Sequence, residues 1–333
     1  MSPARRSEII KAIAAEVGFE LCGLAQVGPI KHREYVKEWL CRGLHGSMEY
    51  LQRNHQFRLD PSGLLANAKS MVCVALNYRP NPCDEHSLTQ AESNDPNVCA
   101  KGRVARYAWG EDYHVVVREK LRVMVDQMRG EMEEPFEVRI CVDTAPIVER
   151  EIATSAGLGW IGKNTLVLDS KLGSYFFLGE ILTTLDLAPD EPVADHCGSC
   201  TACLDACPTK AFPKPYEMDA SRCISYLTIE HRGDISKPFQ EMMGDWIFGC
   251  DVCQEVCPFN REAAPTREAK FSLIAPKGVP TVTDVARWDD EEYRRAVEGR
   301  ALDRATLPMW KRNARIAAEN FKRDSHPDTR SES

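Results

Sequence analysis

Apolar residues return along this chain with two different periods. In SEIIKAIAAEV (7–17) they recur every three or four positions, which predicts an amphipathic helix closed by Gly18. FELCGLAQV (19–27) predicts a strand, and REYVKEWLCRG and SMEYLQRN predict helices separated by a glycine break. SMVCVALNY (70–78) is a continuous apolar run bounded by polar residues, the pattern of a fully buried strand. Residues 79–102 are polar and rich in Pro and Asn, and predict a surface loop or lid. DYHVVVREKLRVMVDQMRG (112–130) predicts a long helix. In FEVRICVD (136–143), Phe136, Val138, Ile140 and Val142 alternate with Glu137, Arg139, Cys141 and Asp143, as in a strand. TAPIVEREIATSAG predicts a helix with Pro146 in its first turn. NTLVLDSKLGSYFFLGEILTTLDL predicts a hairpin. LPMWKRNARIAAENFKR predicts a basic helix, followed by a disordered tail.

Composition narrows the class. The chain has 333 residues, 43% hydrophobic and 28% charged, as in a soluble globular protein of two or three domains. The net charge of −8 excludes a chain that is basic overall, so a nucleic-acid site has to be a local basic patch. No uncharged apolar run approaches the roughly 18 residues of a membrane span. The first twenty residues are too acidic and too regularly interrupted for a signal peptide. The expectation is a cytoplasmic enzyme that does not engage a membrane.

The fourteen cysteines change the picture. Six of them (Cys22, Cys41, Cys73, Cys83, Cys99, Cys141) are scattered, and packing accounts for them. The other eight lie between 197 and 257. Cys197, Cys200, Cys203 and Cys207, followed by Pro208, spell C-x2-C-x2-C-x3-C-P. In bacterial ferredoxins, three cysteines of such a run bind one 4Fe-4S cube and the fourth binds a second cube. A partner run is therefore required, and CDVCQEVCP supplies Cys250, Cys253 and Cys257 before Pro258. By the same crossing rule, Cys257 joins Cys197, Cys200 and Cys203. Cys207 joins Cys250 and Cys253, and Cys223 is the nearby candidate for the remaining ligand. Zinc is the competing reading, because C-x2-C pairs also build zinc ribbons. The two C-P endings favour iron–sulfur. A two-cluster module needs only about 60 to 80 residues, so the preceding 190 or so are expected to use the electrons.

Residues 157–162, GLGWIG, imitate a dinucleotide fingerprint. That fingerprint follows a strand and opens a helix, whereas this one follows a helical pattern and precedes a strand. The glycines suggest either backbone passing close to a large ligand, with Lys163 and Asn164 as added donors, or a tight helix-to-strand turn. Asp143 ends a strand just before a proline-started helix. It is a candidate general acid if desolvation raises its pKa, or else an N-cap. His114 and His231 read as ordinary structural residues.

At these residues the chain resembles a known family. VDTAPIVEREIATSAGLGWIGKNTLVL, GSYFFLGEILTTL, the two cysteine runs, RYAWGEDYH and MWKRNARIAAEN are similar to epoxyqueuosine reductases over roughly residues 5–320. The resemblance implies an α+β chain of the short form. Residues 1–188 would form a mixed α/β cobalamin-binding domain related to reductive dehalogenases, and 189–262 a ferredoxin-like module holding two 4Fe-4S clusters. Residues 263–322 would form a helical region, and 323–333 the tail.

The resemblance further implies reduction of the epoxide of epoxyqueuosine to queuosine at the tRNA wobble position, the last step of queuosine biosynthesis. Cob(I)alamin would do this, supplied by the two clusters from a low-potential donor that the sequence does not identify. It makes Asp143 the proton donor and the eight cysteines the cluster ligands. It lines the corrinoid cavity with Trp160, Gly162, Lys163, Asn164 and Tyr107, and more weakly with Arg58 and Ser225. No D-x-H-x-x-G run is present, so no histidine is expected to replace the cobalt's lower base; His86 follows Asp84 without the glycine. For tRNA, the local candidates are KRNAR (311–315) and Arg103 and Arg106 beside Tyr107 and Trp109. The expected form is a monomer. A small-molecule corrinoid reductase, dehalogenase-like, and a non-enzymatic electron carrier remain as alternatives.

Overall fold

The computed structural model describes residues 1–82, 102–272 and 278–325. Most of the expected loop 79–102 lies outside the described residues. Of the expected tail, residues 323–325 continue the last helix and the rest is likewise outside.

The core is a four-stranded antiparallel sheet in the order β1 (Leu21–Gln26), β2 (Ser70–Asn77), β7 (Phe176–Thr183), β4 (Val138–Cys141). Every residue of β2 is buried, as its continuous apolar run predicts. The period of two sorts its side chains into two cores. Val72, Val74 and Leu76 meet the helices Pro3–Val17 and Tyr113–Glu131, through Ile10, Ile13, Val117, Leu121 and Met124. Met71, Cys73 and Ala75 face the helix Glu149–Ser155, through Ile152 and Ala153. The alternation in 136–143 divides the same way: Phe136, Val138, Ile140 and Val142 join the first core, and Cys141 joins the second. The first helix begins at a Ser2 cap and ends at Gly18, whose φ of 94° is the left-handed conformation that glycine adopts without strain.

A second body is built from the cysteine runs and the C-terminal helices. The two-residue strand β3 (Arg103–Val104) pairs in parallel with β8 (Trp246–Phe248). The final helix, Leu307–Ser325, packs on them, with Trp310 stacked on Phe248 at 5.1 Å. Arg300 is buried there, and its guanidinium donates to the carbonyls of Gly278, Ala108 and Trp109. Among the described residues, no helix is long and apolar enough to cross a membrane.

Three local expectations are corrected. SMEYLQRN forms only a short turn at Glu49–Leu51. Pro146 is not in the first turn of its helix, which starts at Glu149; residues 143–148 form an irregular loop instead. The predicted hairpin does not close on itself. β6 (Val167–Leu168) pairs back with β5 (Trp160–Ile161), and β7 leaves to become a central strand between β2 and β4.

Candidate active site

Each cysteine run ends in a short helical turn, Ala202–Asp205 and Val252–Glu255, followed by its C-P pair. Cys203 has Cys257, Cys197 and Cys200 as its thiol neighbours, and Cys257 has Cys197 and Cys200. Cys223 has Cys207 beside it, Cys250 has Cys223, and Cys253 has Cys223 and Cys250. The fold thus gathers two sets of four, and in each set one cysteine comes from the other run. Cys253 also feels Cys203, so the two sets adjoin.

Burial pushes the Cys203 thiol up to about 11 and raises Cys250 and Cys253 as well, so each set binds iron only by giving up protons. Among the described residues, no three His, Cys, Asp or Glu side chains converge as they would around a single ion. Zinc draws its thiolates to about 2.3 Å from one atom. A cube spreads four thiolates over four irons, and this donor set fits the cube. Backbone N–H groups of Ser225 and Tyr226 point at the Cys223 sulfur, and that of Ala211 donates to Cys207 Sγ at 3.3 Å. Such bonds tune a cluster's potential. Of the scattered cysteines, Cys73 and Cys141 are buried in the sheet as expected, whereas Cys41 is exposed and is not explained by packing.

Asp143 lies two residues beyond the end of β4. Its φ is 55°, left-handed and strained for a residue that is not glycine. Two bonds hold it. Its N–H donates to Glu149 Oε1 at 2.5 Å, and its Oδ2 meets His114 Nε2 at 3.0 Å. The other ring nitrogen of His114 meets Asp112 Oδ1 at 2.7 Å. Burial alone would raise the Asp143 carboxyl. His114, the Tyr113 hydroxyl and Arg150 outweigh it and hold Asp143 below its ordinary value. Burial pulls His114 down, but its bonds to Asp112 and Asp143 win and raise it to about 9.

The expectation of a carboxyl raised by desolvation is therefore corrected: near neutral pH the proton sits on His114, and Asp143 is its ionised partner. A histidine so raised stabilises the fold fully below about 6.5, and that contribution is lost as pH rises through about 9. We expect the His114 ring to titrate near pH 9 by NMR, and Asp143→Asn to bring it down by more than half a unit. An unmoved titration would show that the pair does not form. His114, expected to be an ordinary structural residue, comes from the start of the helix Tyr113–Glu131.

The Asp143 side chain is 55% exposed, yet surrounding protein desolvates it. Arg150 shows the same combination. Groups that are open to water but largely enclosed by protein line a recess. Arg58, Tyr50 and Tyr107 also carry the influence of the Asp143 charge. Arg150 feels Glu149 and Asp143 on one side and Cys253 and Cys223 on the other, so the recess sits between the acid and one cysteine set. Arg58 Nε is buried without a hydrogen-bond partner among the described residues, while its Nη1 donates to Ile147 O. An orphaned donor beside an enclosed recess fits a large ligand rich in acceptor groups, such as the carboxamides of a corrinoid.

The glycine-rich segment is closely packed against its neighbours. A Cβ on Gly159 would lie 2.0 Å from Leu168 O, so this glycine, at φ 148°, is required by the β5–β6 pairing. Gly162 is likewise closed off, by Leu168 and Asn164. Lys163 Nζ donates to the carbonyls of Gly198 and Cys200 at 2.6 and 2.8 Å, and Asn164 Nδ2 to Cys253 O at 3.4 Å. Trp160 packs with Cys257, Cys197 and Phe259, its indole N–H unpartnered among the described residues. Through these contacts the segment buttresses the cysteine runs. Ser225 sits beside Cys223, as its N–H shows. His231 is structural, its ring bonded to Asp234 O at 2.9 Å.

The expected nucleic-acid contacts divide in two. Arg103 is spent on Glu255 and the face of Trp246, and Arg106 on Asp251 and Glu255 at 3.0 and 2.7 Å. These two arginines staple the cysteine module and present no free charge to a phosphate. In KRNAR, Asn313 is buried against Thr228 and Ile247, and Arg312 donates to the carbonyls of His231, Gly233 and Leu227. Lys311 and Arg315 instead open, with Arg232, onto a cleft of about 530 Å³.

Comparison with known proteins agrees with this geometry. Residues 58–144 match the family model described as epoxyqueuosine reductase QueG, and 196–260 match a 4Fe-4S double cluster binding domain. The chain is 40% identical over 320 residues to the epoxyqueuosine reductase of Pseudomonas aeruginosa, covering 96% of this chain and 86% of that protein. It is 37% identical over 311 residues to that of Escherichia coli K12, covering 93% and 80%. Among solved structures, it is similar to the Bacillus subtilis epoxyqueuosine reductase with its catalytic aspartate loop swung out of the active site. That likeness has a TM-score of 0.86 at 28% identity, over 97% of this chain and 84% of that one. An epoxyqueuosine reductase with an epoxyqueuosine-modified tRNA-Tyr stem loop is similar at a TM-score of 0.85 and 28% identity, over 96% and 83%. With two cysteine sets beside an acid-lined recess, and with relatives of this closeness along nearly its whole length, the chain belongs to the epoxyqueuosine reductase family.

Proposed function

We propose that this chain reduces the epoxide of epoxyqueuosine in tRNA to the alkene of queuosine. The observation that carries the reading is the Asp143–His114 pair, set on a recess whose far side reaches the cysteine sets. The reaction breaks two C–O bonds, forms one C=C bond and releases the oxygen as water. It consumes two electrons and two protons. A corrinoid in the recess and two 4Fe-4S clusters on the eight cysteines would supply the low-potential electrons, which no side chain can. An external donor has to reload them.

The chain's own residues do the rest. Cys197, Cys200, Cys203 and Cys257 hold one cluster, and Cys207, Cys223, Cys250 and Cys253 the other. Arg58, Tyr107 and Arg150 line the corrinoid recess, while Trp160, Gly162, Lys163, Asn164 and Ser225 position the cluster loops beside it. His114 carries a proton at Nε2, and Asp143 passes it to the oxygen as the C–O bond opens. The strained loop at Asp143 gives this residue a second position to relax into, in keeping with the swung-out aspartate loop of the Bacillus subtilis relative.

The test is one reaction. The protein is reconstituted without oxygen and given cobalamin, a strong reductant and tRNA carrying epoxyqueuosine. Digested nucleosides are then weighed. Cobalamin-dependent loss of one oxygen is expected. No loss, with clusters and corrinoid verified in place, would favour a small-molecule corrinoid reductase.

Lys311, Arg315 and Arg232 around the 530 Å³ cleft supply the local positive charge that a net −8 chain needs to hold an RNA backbone. Replacing both Lys311 and Arg315 by Gln should weaken tRNA binding and flatten its dependence on log salt by about one to two units of slope. Turnover at saturating tRNA should be kept. An unchanged slope would place the RNA elsewhere.

A further inference from the structure

Glu180 sits in the middle of β7, opposite Cys73 on β2 and Cys141 on β4. Its exposure is 0%, and neither carboxyl oxygen has an aligned hydrogen-bond partner among the described residues. An isolated carboxylate in such a place costs far more than a neutral carboxyl, so Glu180 is buried in its protonated form. The acid group it faces is Glu149, close enough for a hydrogen-bonding interaction to act on both, although the two are not ideally aligned. Glu149 in turn accepts the N–H of Asp143 at 2.5 Å. From the sheet interior to the recess, the order is therefore Glu180, Glu149, Asp143, His114, Asp112. The proposed reaction uses the outer part of this row and has no use for the inner part.

We propose that Glu149 and Glu180 form a buried carboxyl pair, both members protonated at rest, that stores one releasable proton on Glu149 behind Asp143 and feeds it to the Asp143–His114 pair during turnover. The reading rests on Asp143 being the acid of the proposed reaction. It also completes the proton count. Opening the epoxide and releasing water takes two protons: His114 stores one, and the carboxyl pair stores the second. In the transfer, the pair loses one proton and becomes an anion, and Asp143 gains it; no electrons move.

The groups facing the pair suit this role. Cys73 and Cys141 are thiols that burial keeps neutral. Tyr113 is neutral for the same reason, with the Asp143 charge adding to burial. Arg150 and Arg58 are the nearby cations, and both also reach Asp143. Burial and then the Asp143 charge push Glu149 up to about 7, so its proton is held at acidic to neutral pH and released as pH rises through about 7, while burial keeps Glu180 protonated.

The experiment is infrared titration of the purified chain labelled with 13C at the glutamate side-chain carboxyl, without tRNA. At pH 6 the wild type should show C=O absorption of protonated carboxyls, and the Glu149 band within it should be lost as pH rises through about 7. Glu149→Gln should lack the titrating band. Asp143→Asn removes a negative charge from beside Glu149, so its band should disappear at lower pH. Absence of the band in the wild type, or a band whose titration ignores Asp143→Asn, would overturn the proposal. If Glu149→Gln does not fold, the labelled wild type and Asp143→Asn still decide. A wild type that shows the coupled band but never removes oxygen from tRNA would count against the proposed reaction and leave the proton store in place.

Discussion

Asp143→Asn keeps the fold and both clusters and loses turnover by about 10²- to 10⁴-fold, the range for removal of a general acid. Asparagine is the informative replacement. Position 143 has a φ of 55°, and Asn is among the few residues that adopt this region readily. The N–H to Glu149 is a backbone bond and survives. The Asn amide can still meet His114 Nε2, but as a neutral partner. Two things are lost together: the oxygen that accepts and passes the proton, and the charge that helps hold His114 near 9.

The loss should fall on the single-turnover rate at saturating tRNA, with tRNA affinity kept within about twofold. Asp143→Ala is less clean, since alanine pays roughly 1–2 kcal/mol to remain left-handed and the loop is free to leave the site. A variant turning over within twofold of wild type would remove Asp143 from the mechanism. Full turnover in Asp143→Asn with none in His114→Gln would move the acid to His114 alone.

Much of the frame was legible because it rests on local periodicity. β2 has no choice of environment: eight consecutive residues without a charge can only be a central strand. The alternation of 136–143 was read correctly: its apolar face joins the first core, and of the other face Cys141 is buried in the second while Glu137 and Arg139 are exposed. The failed hairpin has the opposite cause. Val167–Leu168 is too short to fix a register by pattern, and the close approach at Gly159 settles it in favour of β5.

The site was legible in chemistry and illegible in contacts. Asp143 was visible as a carboxylate at a strand end. Its protonation state was not, because it is set by His114, 29 residues away on another element. Arg103 and Arg106 read as an aromatic-flanked basic patch, and no local pattern reveals that Asp251 and Glu255 lie opposite them. Glu180 did leave a trace: it is the one acid inside the otherwise uncharged run FFLGEILT. A lone carboxyl in a strand buried on both faces calls for a partner or a purpose.

Cys257→Ala should abolish or degrade the cluster associated with Cys197, Cys200 and Cys203, and leave the cluster of its own sequence neighbours Cys250 and Cys253 intact. The reason is topological. Cys257 comes two residues after the helical turn that carries Cys253, yet its thiol faces Cys197 and Cys200, while Cys253 faces Cys223 and Cys250. The proline after each fourth cysteine turns the chain away just where the ligand must leave its own run, and Cys207 makes the reciprocal crossing toward Cys223. Iron analysis should fall by up to half, and Mössbauer or EPR spectra should retain one cube's signature. Cys207→Ala should remove the other signature.

Turnover should be lost in both variants, because electrons pass through adjoining clusters in series and either break stops the flow. In Cys257→Ala, the loss should come with the Asp143–His114 titration unchanged, since the neighbours of that pair are Asp112, Tyr113 and Arg150 and include none of the first set's thiols. Loss of the Cys250–Cys253 cluster alone in Cys257→Ala would mean that each run binds its own cube. The crossed arrangement, and with it the path by which the two sets adjoin, would then be wrong.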